Sequence, residues 1–214
     1  KALYKNYYKP SYSCFFMNTA KILQAGEIAK KIKVFARTIV KKDAPLLEIA
    51  EKIEAKIIEL GGKSAFPCNL SINNIAAHYT PSHDDKTLAH GLLKVDFGVH
   101  IDGWVADTSL SFDLENSQEN KKLIEAAEKA LAKAQENFKE GASLGKIGLL
   151  IEKEIESHGF SPVINLSGHQ IEQYDLHAGI TVPNVEDNDD VKIKKGLYAI
   201  EPFATTGSGR IHDG

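Results

Sequence analysis

The fold is decided by the stretch 94-KVDFGVHIDGWVADTSLSF-112. At its centre, Asp102-Gly103 is a strong signal for a two-residue hairpin turn, because both positions of such a turn favour positive φ. In the resulting ribbon Gly98 faces Asp107, and successive side chains alternate between the two faces. One face is almost wholly apolar, which predicts that it packs on helices. The opposite face carries Lys94, Asp96, Gly98, His100, Val105, Asp107, Ser109 and Ser111.

This second face brings two carboxylates together. Asp96 and Asp107 are diagonal neighbours on it, with Cα atoms about 7–8 Å apart in an ideal ribbon. Two carboxylates this close repel each other unless a proton or a cation lies between them. A pair of divalent ions about 3.5–4 Å apart would satisfy both acids, and Gly98 would leave room for an ion. The alternative is a solvated outer face on which both acids are simply hydrated.

The segments around the hairpin repeat one pattern. Apolar residues spaced by three and four positions predict a pair of helices before the hairpin and another pair after it. Each pair is followed by a glycine stop, a proline and the triplet Asn-Leu-Ser, at 69–71 and again at 165–167. This order predicts an internal duplication, with halves of about 17–115 and 116–214 sharing one core. Coincidence is the alternative, because the identical triplet is short.

Composition limits the classes of protein and partner. The 214 residues carry 26 Lys and Arg against 29 Asp and Glu, and the net charge of −3 argues against a specific nucleic-acid partner. No apolar run approaches the ~18 residues that cross a bilayer, so no membrane partner is predicted. Cys14 and Cys68 cannot form a disulfide framework, which predicts a reducing, cytoplasmic location.

Both ends of the sequence are unusual. Residues 1–16 are rich in tyrosine, aperiodic and without the apolar core of a signal peptide, so we interpret them as a non-native or disordered leader before Met17. A genuine N-terminal arm is the alternative. At the other end, Gly214 follows a glycine-rich turn that completes no element. We therefore expect 17–214 to be an incomplete, C-terminally truncated catalytic domain.

The second half supplies further potential metal ligands. His169 and His177 bracket a short segment just after the second triplet, and His78 follows the first triplet at a similar offset. Glu201 lies within an otherwise apolar predicted strand, where an unpaired charge is costly to bury, and Pro202 favours an edge or a bulge there. Carboxylates and imidazole together suit Mn, Co, Fe or Zn. The set predicts a hydrolytic site with two metal ions.

Four segments resemble type 2 methionine aminopeptidases, which belong to the pita-bread metallopeptidase family. They are FPCNLSINNIAAHYTP at 66–81, VDFGVHIDGWVADTSLSF at 95–112, NLSGHQIEQYDLHAG at 165–179 and YAIEPFATTGSG at 198–209. The resemblance covers about 17–214 and is closer to archaeal members, which lack a long charged N-terminal extension. It implies an α+β, pita-bread fold in which helices cover an antiparallel sheet made by two pseudo-symmetric halves.

The resemblance implies a role for each matching metal ligand. Asp96 would chelate one ion and Asp107 would bridge the two. His169 and Glu201 would hold the other ion, and Glu201 would also be the general base. The family has a fifth ligand, a second glutamate on a later strand, which would lie beyond Gly214. We therefore expect weak metal affinity and little activity from these 214 residues alone.

The resemblance also implies substrate contacts. His78 and His177 match two histidines that contact substrate and act in catalysis without binding metal, and His177 would steady the tetrahedral intermediate. The implied substrate-binding set is Phe66, His78, Leu176, His177 and Phe203.

The implied activity is removal of the N-terminal methionine from nascent proteins and peptides by a water bound to two divalent ions. The implied partners are the N-terminal methionine of such chains and, transiently, the ribosome; the implied oligomeric state is a monomer. One alternative is a pita-bread binding protein for RNA or protein that has lost its metals, although all four matching ligands are present. Another is a prolidase-like metallopeptidase, although the contexts Ala-Ala-His-Tyr-Thr-Pro and Leu-His-Ala-Gly favour methionine specificity.

Overall fold

The computed structural model describes residues 17–188 and 190–212. The leader expected at 1–16, Cys14 and the end expected at Gly214 lie outside the described residues. The helices are α1 (Thr19–Ile39), α2 (Leu46–Glu59), α3 (Gln118–Asn137) and α4 (Leu144–Ser157). The strands are β1 (Lys63–Ser64), β2 (Asn69–Ile72), β3 (Leu92–Ile101), β4 (Trp104–Asp113), β5 (Ser161–Pro162), β6 (Ser167–Ile171), β7 (Thr181–Pro183), β8 (Leu197–Ala199) and β9 (Ala204–Thr205).

Helices α1 and α3 each begin at a residue whose side chain caps the first turn. The side chain of Asn18 accepts a hydrogen bond from the backbone N–H of Lys21 at the start of α1. At the start of α3, the hydroxyl of Ser117 accepts one from the backbone N–H of Asn120. Each helix turns one stripe of apolar residues inward, spaced by three and four positions. In α1 these are Ala25, Ile28, Ala29, Ile32 and Ala36. No helix in the described parts of the chain combines the length and apolar character that a membrane span requires.

The predicted hairpin is the centre of the first sheet. Strands β3 and β4 pair antiparallel with Gly98 opposite Asp107, the predicted register. Asp102 and Gly103 form the turn with φ of 48° and 81°, the left-handed conformation that a two-residue hairpin requires. Strands β1 and β2 pair with the other edge of β3. The apolar face packs on α1 and α2 around Phe97, as predicted.

The face that carries the two acids is not a solvated outer surface. Val105 lies on it and is only 5% exposed, because it packs with Ile171 and Ala199 of the second half. The hairpin tip also contacts the turn after β6, where the side-chain amide of Gln173 donates to the carbonyl of Asp102. Around Val105 and Asp107, whose side chain is 10% exposed, the face is therefore an internal surface between the two halves, whereas Ser109 and Ser111 farther along β4 are exposed.

The two halves are built in the same order. Each has two helices, then a glycine with positive φ (Gly61 or Gly159), then the Asn-Leu-Ser triplet leading into a strand. The triplet at 69–71 lies in β2, and the triplet at 165–167 reaches the first residue of β6. This parallel order supports our proposal that the halves arose by duplication.

Cys68 gives a simple test of this packing. It is buried beneath α2, where its backbone N–H donates to Glu54. Burial, then the charges of Glu54 and Asp96, raise the pKa of its thiol well above the ordinary value. In a Cys14→Ser variant we expect the folded protein to react with Ellman's reagent about 100-fold more slowly than the urea-unfolded chain. Equal rates in the two states would contradict the burial.

Candidate metal centre

Three side chains from both halves converge beside the hairpin. His169 on β6 places Nε2 3.0 Å from Oε1 of Glu201 and 3.4 Å from Oδ2 of Asp107 on β4. One donor atom from each of the three residues lies within 4.8 Å of the others. Oxygen and imidazole donors at this spacing are the ligand types of a divalent transition metal. The structure thus brings together three of the four predicted ligands as one group.

Glu201 does not lie inside a strand, which corrects the prediction from its apolar context. Strand β8 ends at Ala199 and β9 begins at Ala204, so Glu201 occupies the gap between them. Pro202 has no N–H to continue a ladder, which explains the interruption. The gap frees the carboxylate to turn toward His169. Its Oε1 atom is buried, and its close polar neighbour is Nε2 of His169 at 3.0 Å.

Asp96 lies next to this group but is not one of the three clustered residues. Burial, followed by the negative charge of Asp107, raises the pKa of its carboxyl from 3.8 to about 7. The charge of Glu201 raises this pKa further, and a hydrogen bond from Asn69 lowers it. Asp96 and Asp107 therefore repel each other, as the hairpin pattern predicts. A bound cation would relieve that repulsion.

The pKa of the His169 imidazole is raised as well. Burial lowers its pKa, but the adjoining carboxylates of Asp107 and Glu201 outweigh burial and raise it to about 10. Without a metal, the ring therefore carries a proton that neutralises part of the local negative charge. A metal ion would replace that proton, because imidazole binds metal in its neutral form. The donor set fits a divalent cation.

Gly98 does not leave room for an ion, contrary to our prediction. A Cβ atom at this position would lie 2.5 Å from Cε1 of Phe66 and 2.8 Å from Cβ of Ala65. The space above Gly98 is therefore filled by the Phe66 ring. The hairpin sequence could not reveal this, because the ring arrives from the segment between β1 and β2.

A Gly98→Ala variant tests this close approach. We expect the added methyl to push Phe66 away and to lower the free energy of unfolding by about 1–3 kcal/mol, measured by urea titration. Gly26→Ala on α1 is the matched control, because a Cβ there meets nothing within 4 Å. This control should be stabilised by about 0.5–1 kcal/mol, since alanine favours the helix. Equal stability of Gly98→Ala and the unsubstituted chain would contradict the packing.

The predicted substrate residues lie at different distances from this centre. The ring of His177 is edge-on to the ring of His169, with centroids 4.4 Å apart. Leu176 packs on the apolar cluster that contains Val105. His78 is exposed and has a φ of 65°, a left-handed conformation that is uncommon outside glycine. Phe203 is half-buried beyond Glu201, and its carbonyl accepts from the N–H of Val163.

The model of metallopeptidase family M24 matches residues 20–213. The chain belongs to this family. Its relatives include the methionine aminopeptidase of Pyrococcus abyssi, 50% identical over 199 residues, and that of Thermococcus onnurineus, 50% identical over 194 residues. These matches cover 91% and 89% of this chain, and 67% and 65% of the relatives. The chain thus spans about two thirds of the length of the curated relatives that it matches.

Several solved structures share the fold. The methionine aminopeptidase from Rickettsia prowazekii has a TM-score of 0.79 and 26% identity, with 87% of this chain and 79% of that chain covered. The methionine aminopeptidase from Thermotoga maritima has a TM-score of 0.81 and 23% identity, with coverage of 91% and 83%. A prolidase from Pyrococcus furiosus has a TM-score of 0.74 and 22% identity, with coverage of 86% and 55%. The predicted α+β, pita-bread fold and the resemblance to methionine aminopeptidases are confirmed.

Proposed function

We propose that this M24 chain removes the N-terminal methionine from peptides and nascent proteins by metal-dependent hydrolysis. The observation that carries the proposal is the convergence of Asp107, His169 and Glu201 in a chain that is 50% identical to methionine aminopeptidases. A binding protein that does not use metal is not favoured. Buried carboxylates around an imidazole are costly, and such a protein would gain nothing from keeping them.

The proposed cofactors are two divalent ions of Mn, Co, Fe or Zn. Asp96 would chelate one ion, Asp107 would bridge the two, and His169 and Glu201 would hold the other. Such ions lower the pKa of a shared water toward neutrality and polarise the scissile carbonyl. The donors are mixed oxygen and nitrogen atoms that accept several metals, so availability decides which ion is bound.

The chain's own side chains would position substrate and move protons. Glu201 is the proposed general base, which would accept the proton of the attacking water and return it to the leaving amine. His177 would donate a hydrogen bond to the oxygen of the scissile carbonyl, where negative charge develops. His78 would also contact the substrate peptide. The apolar wall for the methionine side chain would consist of Phe66, Leu176 and Phe203.

A peptide assay tests the proposal. With Mn²⁺ or Co²⁺ present we expect the chain to release methionine from Met-Ala-Ser slowly, to stop when EDTA is added, and to leave X-Pro peptides intact. Cleavage of X-Pro peptides without methionine release would favour a prolidase-like enzyme. Retention of RNA or protein partners by a chain without metal affinity would favour the binding-protein alternative.

We also propose that the chain is a monomer in the cytoplasm and meets nascent chains during transient association with the ribosome. The two cysteines, which are too few for a disulfide framework, support the reducing, cytoplasmic setting. Size-exclusion chromatography with light scattering checks the monomer, and co-sedimentation with translating ribosomes checks the association.

A further inference from the structure

The first residue of the repeated Asn-Leu-Ser triplet faces the candidate metal centre. Asn69 begins β2, is only 8% exposed, and lies directly opposite Asp96 on β3. A buried carboxamide must satisfy both its donor and its acceptor atoms. The partners of Asn69 therefore show what its side chain holds in place.

The carboxamide joins a carboxylate to a hydroxyl. Its Nδ2 atom donates to Oδ2 of Asp96 at 3.4 Å, and its Oδ1 atom accepts from the hydroxyl of Thr80 at 2.7 Å. The chemistry fixes this orientation, because an ionised carboxylate can only accept and would repel the carboxamide oxygen. Asn69 thus offers its donor group to the charged form of Asp96, which is the form that binds metal.

Thr80 lies at the end of the loop that carries His78. Beside it, the carbonyl of Tyr79 accepts from the N–H of Leu70 at 2.7 Å, and the N–H of Tyr79 donates to the hydroxyl of Ser71 at 3.3 Å. The end of the loop is therefore fastened to all three residues of the triplet. Of these three, Asn69 is the one that also contacts an acid of the centre.

We infer that Asn69 is a positioning residue that sets the Asp96 carboxylate for metal binding and holds the His78 loop in register with it. This inference rests on the proposed function, because it assigns Asp96 and His78 their roles there. The second triplet provides the contrast. Asn165 donates to and accepts from the backbone of Ile211, so it holds a loop and is hydrogen-bonded to no carboxylate among the described residues.

Metal titration of the purified chain tests the first part. We expect Asn69→Ala to weaken Mn²⁺ affinity about 10-fold in isothermal calorimetry, the usual loss when a hydrogen-bond partner of a ligand is removed. Thr80→Val, which keeps the Nδ2 contact to Asp96, should bind within about twofold of the unsubstituted chain. Asn165→Ala, which also loses two side-chain hydrogen bonds, should likewise bind Mn²⁺ within about twofold of the unsubstituted chain.

Hydrogen exchange tests the second part. The Tyr79 amide should exchange about 10-fold faster in both Asn69→Ala and Thr80→Val, because each change frees the end of the loop, and should be unchanged in Asn165→Ala. Circular dichroism checks that the variants fold. Asn69→Ser replaces Asn69→Ala in both measurements if the alanine variant does not fold.

Two results of the metal titration would overturn the inference, as would unchanged exchange of the Tyr79 amide in Asn69→Ala. One is Mn²⁺ affinity of Asn69→Ala within twofold of the unsubstituted chain. The other is an equal loss in Asn165→Ala, since that would report general loosening rather than positioning of Asp96. If the unsubstituted chain binds no Mn²⁺, the proposed function fails, and hydrogen exchange of the Tyr79 amide alone tests the inference. Faster exchange in Asn69→Ala then supports the link between Asn69 and the His78 loop, and unchanged exchange overturns it.

Discussion

Asp107→Asn is expected to weaken divalent-metal affinity by more than about 100-fold and to abolish methionine release while the chain stays folded. Replacing a direct ligand costs more than the roughly 10–100-fold loss seen for outer partners of ligands. The amide has nearly the same shape as the carboxylate, so packing against the second half is preserved. It also removes the repulsion with Asp96, which compensates for the lost ion pair with His169. Calorimetric Mn²⁺ titration and circular dichroism measure the two effects.

The same hairpin supplies a matched control. Asp102 is an exposed acid at the turn, where its carboxylate pairs with Lys21 on α1. Asp102→Asn makes the same chemical change, suits the positive φ of the turn, and should leave metal affinity unchanged. Asp107→Asn with normal metal content and near-normal turnover would remove Asp107 from the site.

The metal-free chain in EDTA is expected to lose stability as the pH rises. Asp96 has a pKa of about 7 when folded, against an ordinary value of 3.8. The folded state therefore holds a proton that the unfolded chain releases, and the free energy of unfolding falls between about pH 4 and pH 7. His169 acts in the same direction at higher pH, because its pKa is about 10 when folded and 6.5 ordinarily.

We expect the unfolding free energy in urea titrations to fall by about 6 kcal/mol in total between pH 5 and pH 9, at about 1.4 kcal/mol per pH unit for each group. Saturating Mn²⁺ should reverse the trend, because the metal binds the ionised carboxylate and the neutral imidazole, so its stabilising effect grows with pH. Asp96→Asn should flatten the lower half of the profile. Stability of the EDTA-treated chain that rises from pH 5 to pH 8 would contradict these pKa values.

Local sequence signals account for much of the fold. The Asp102-Gly103 turn fixes the register of β3 and β4, and strict alternation then places Asp96 and Asp107 on one face. Both follow from the hairpin alone, because turn geometry and a period of two leave no other arrangement.

The meeting of the two halves could not be predicted from local pattern. Nothing in the hairpin indicates that Val105 is buried by Ile171, or that the Phe66 ring fills the space above Gly98. These contacts join residues far apart in sequence, whose approach depends on how helices and sheets pack. For the same reason, spacing alone could not bring His169 to Asp107, and the family resemblance supplied that pairing.

Asn69 is an intermediate case. The repeated triplet drew attention to it as a sign of duplication, yet its contact with Asp96 depends on the pairing of β2 with β3. A polar residue at the start of a buried strand, opposite an acid on the next strand, is a signal that could have identified it.

The candidate ligand group takes Asp107 from one half and His169 and Glu201 from the other. An ion bound there would link the two halves, because side chains from both would hold it. A substitution that weakens the packing between the halves, such as one at Val105, is therefore expected to speed dissociation of the ion even though it changes no ligand. Conversely, binding of the ion is expected to slow proteolysis that depends on separation of the two halves.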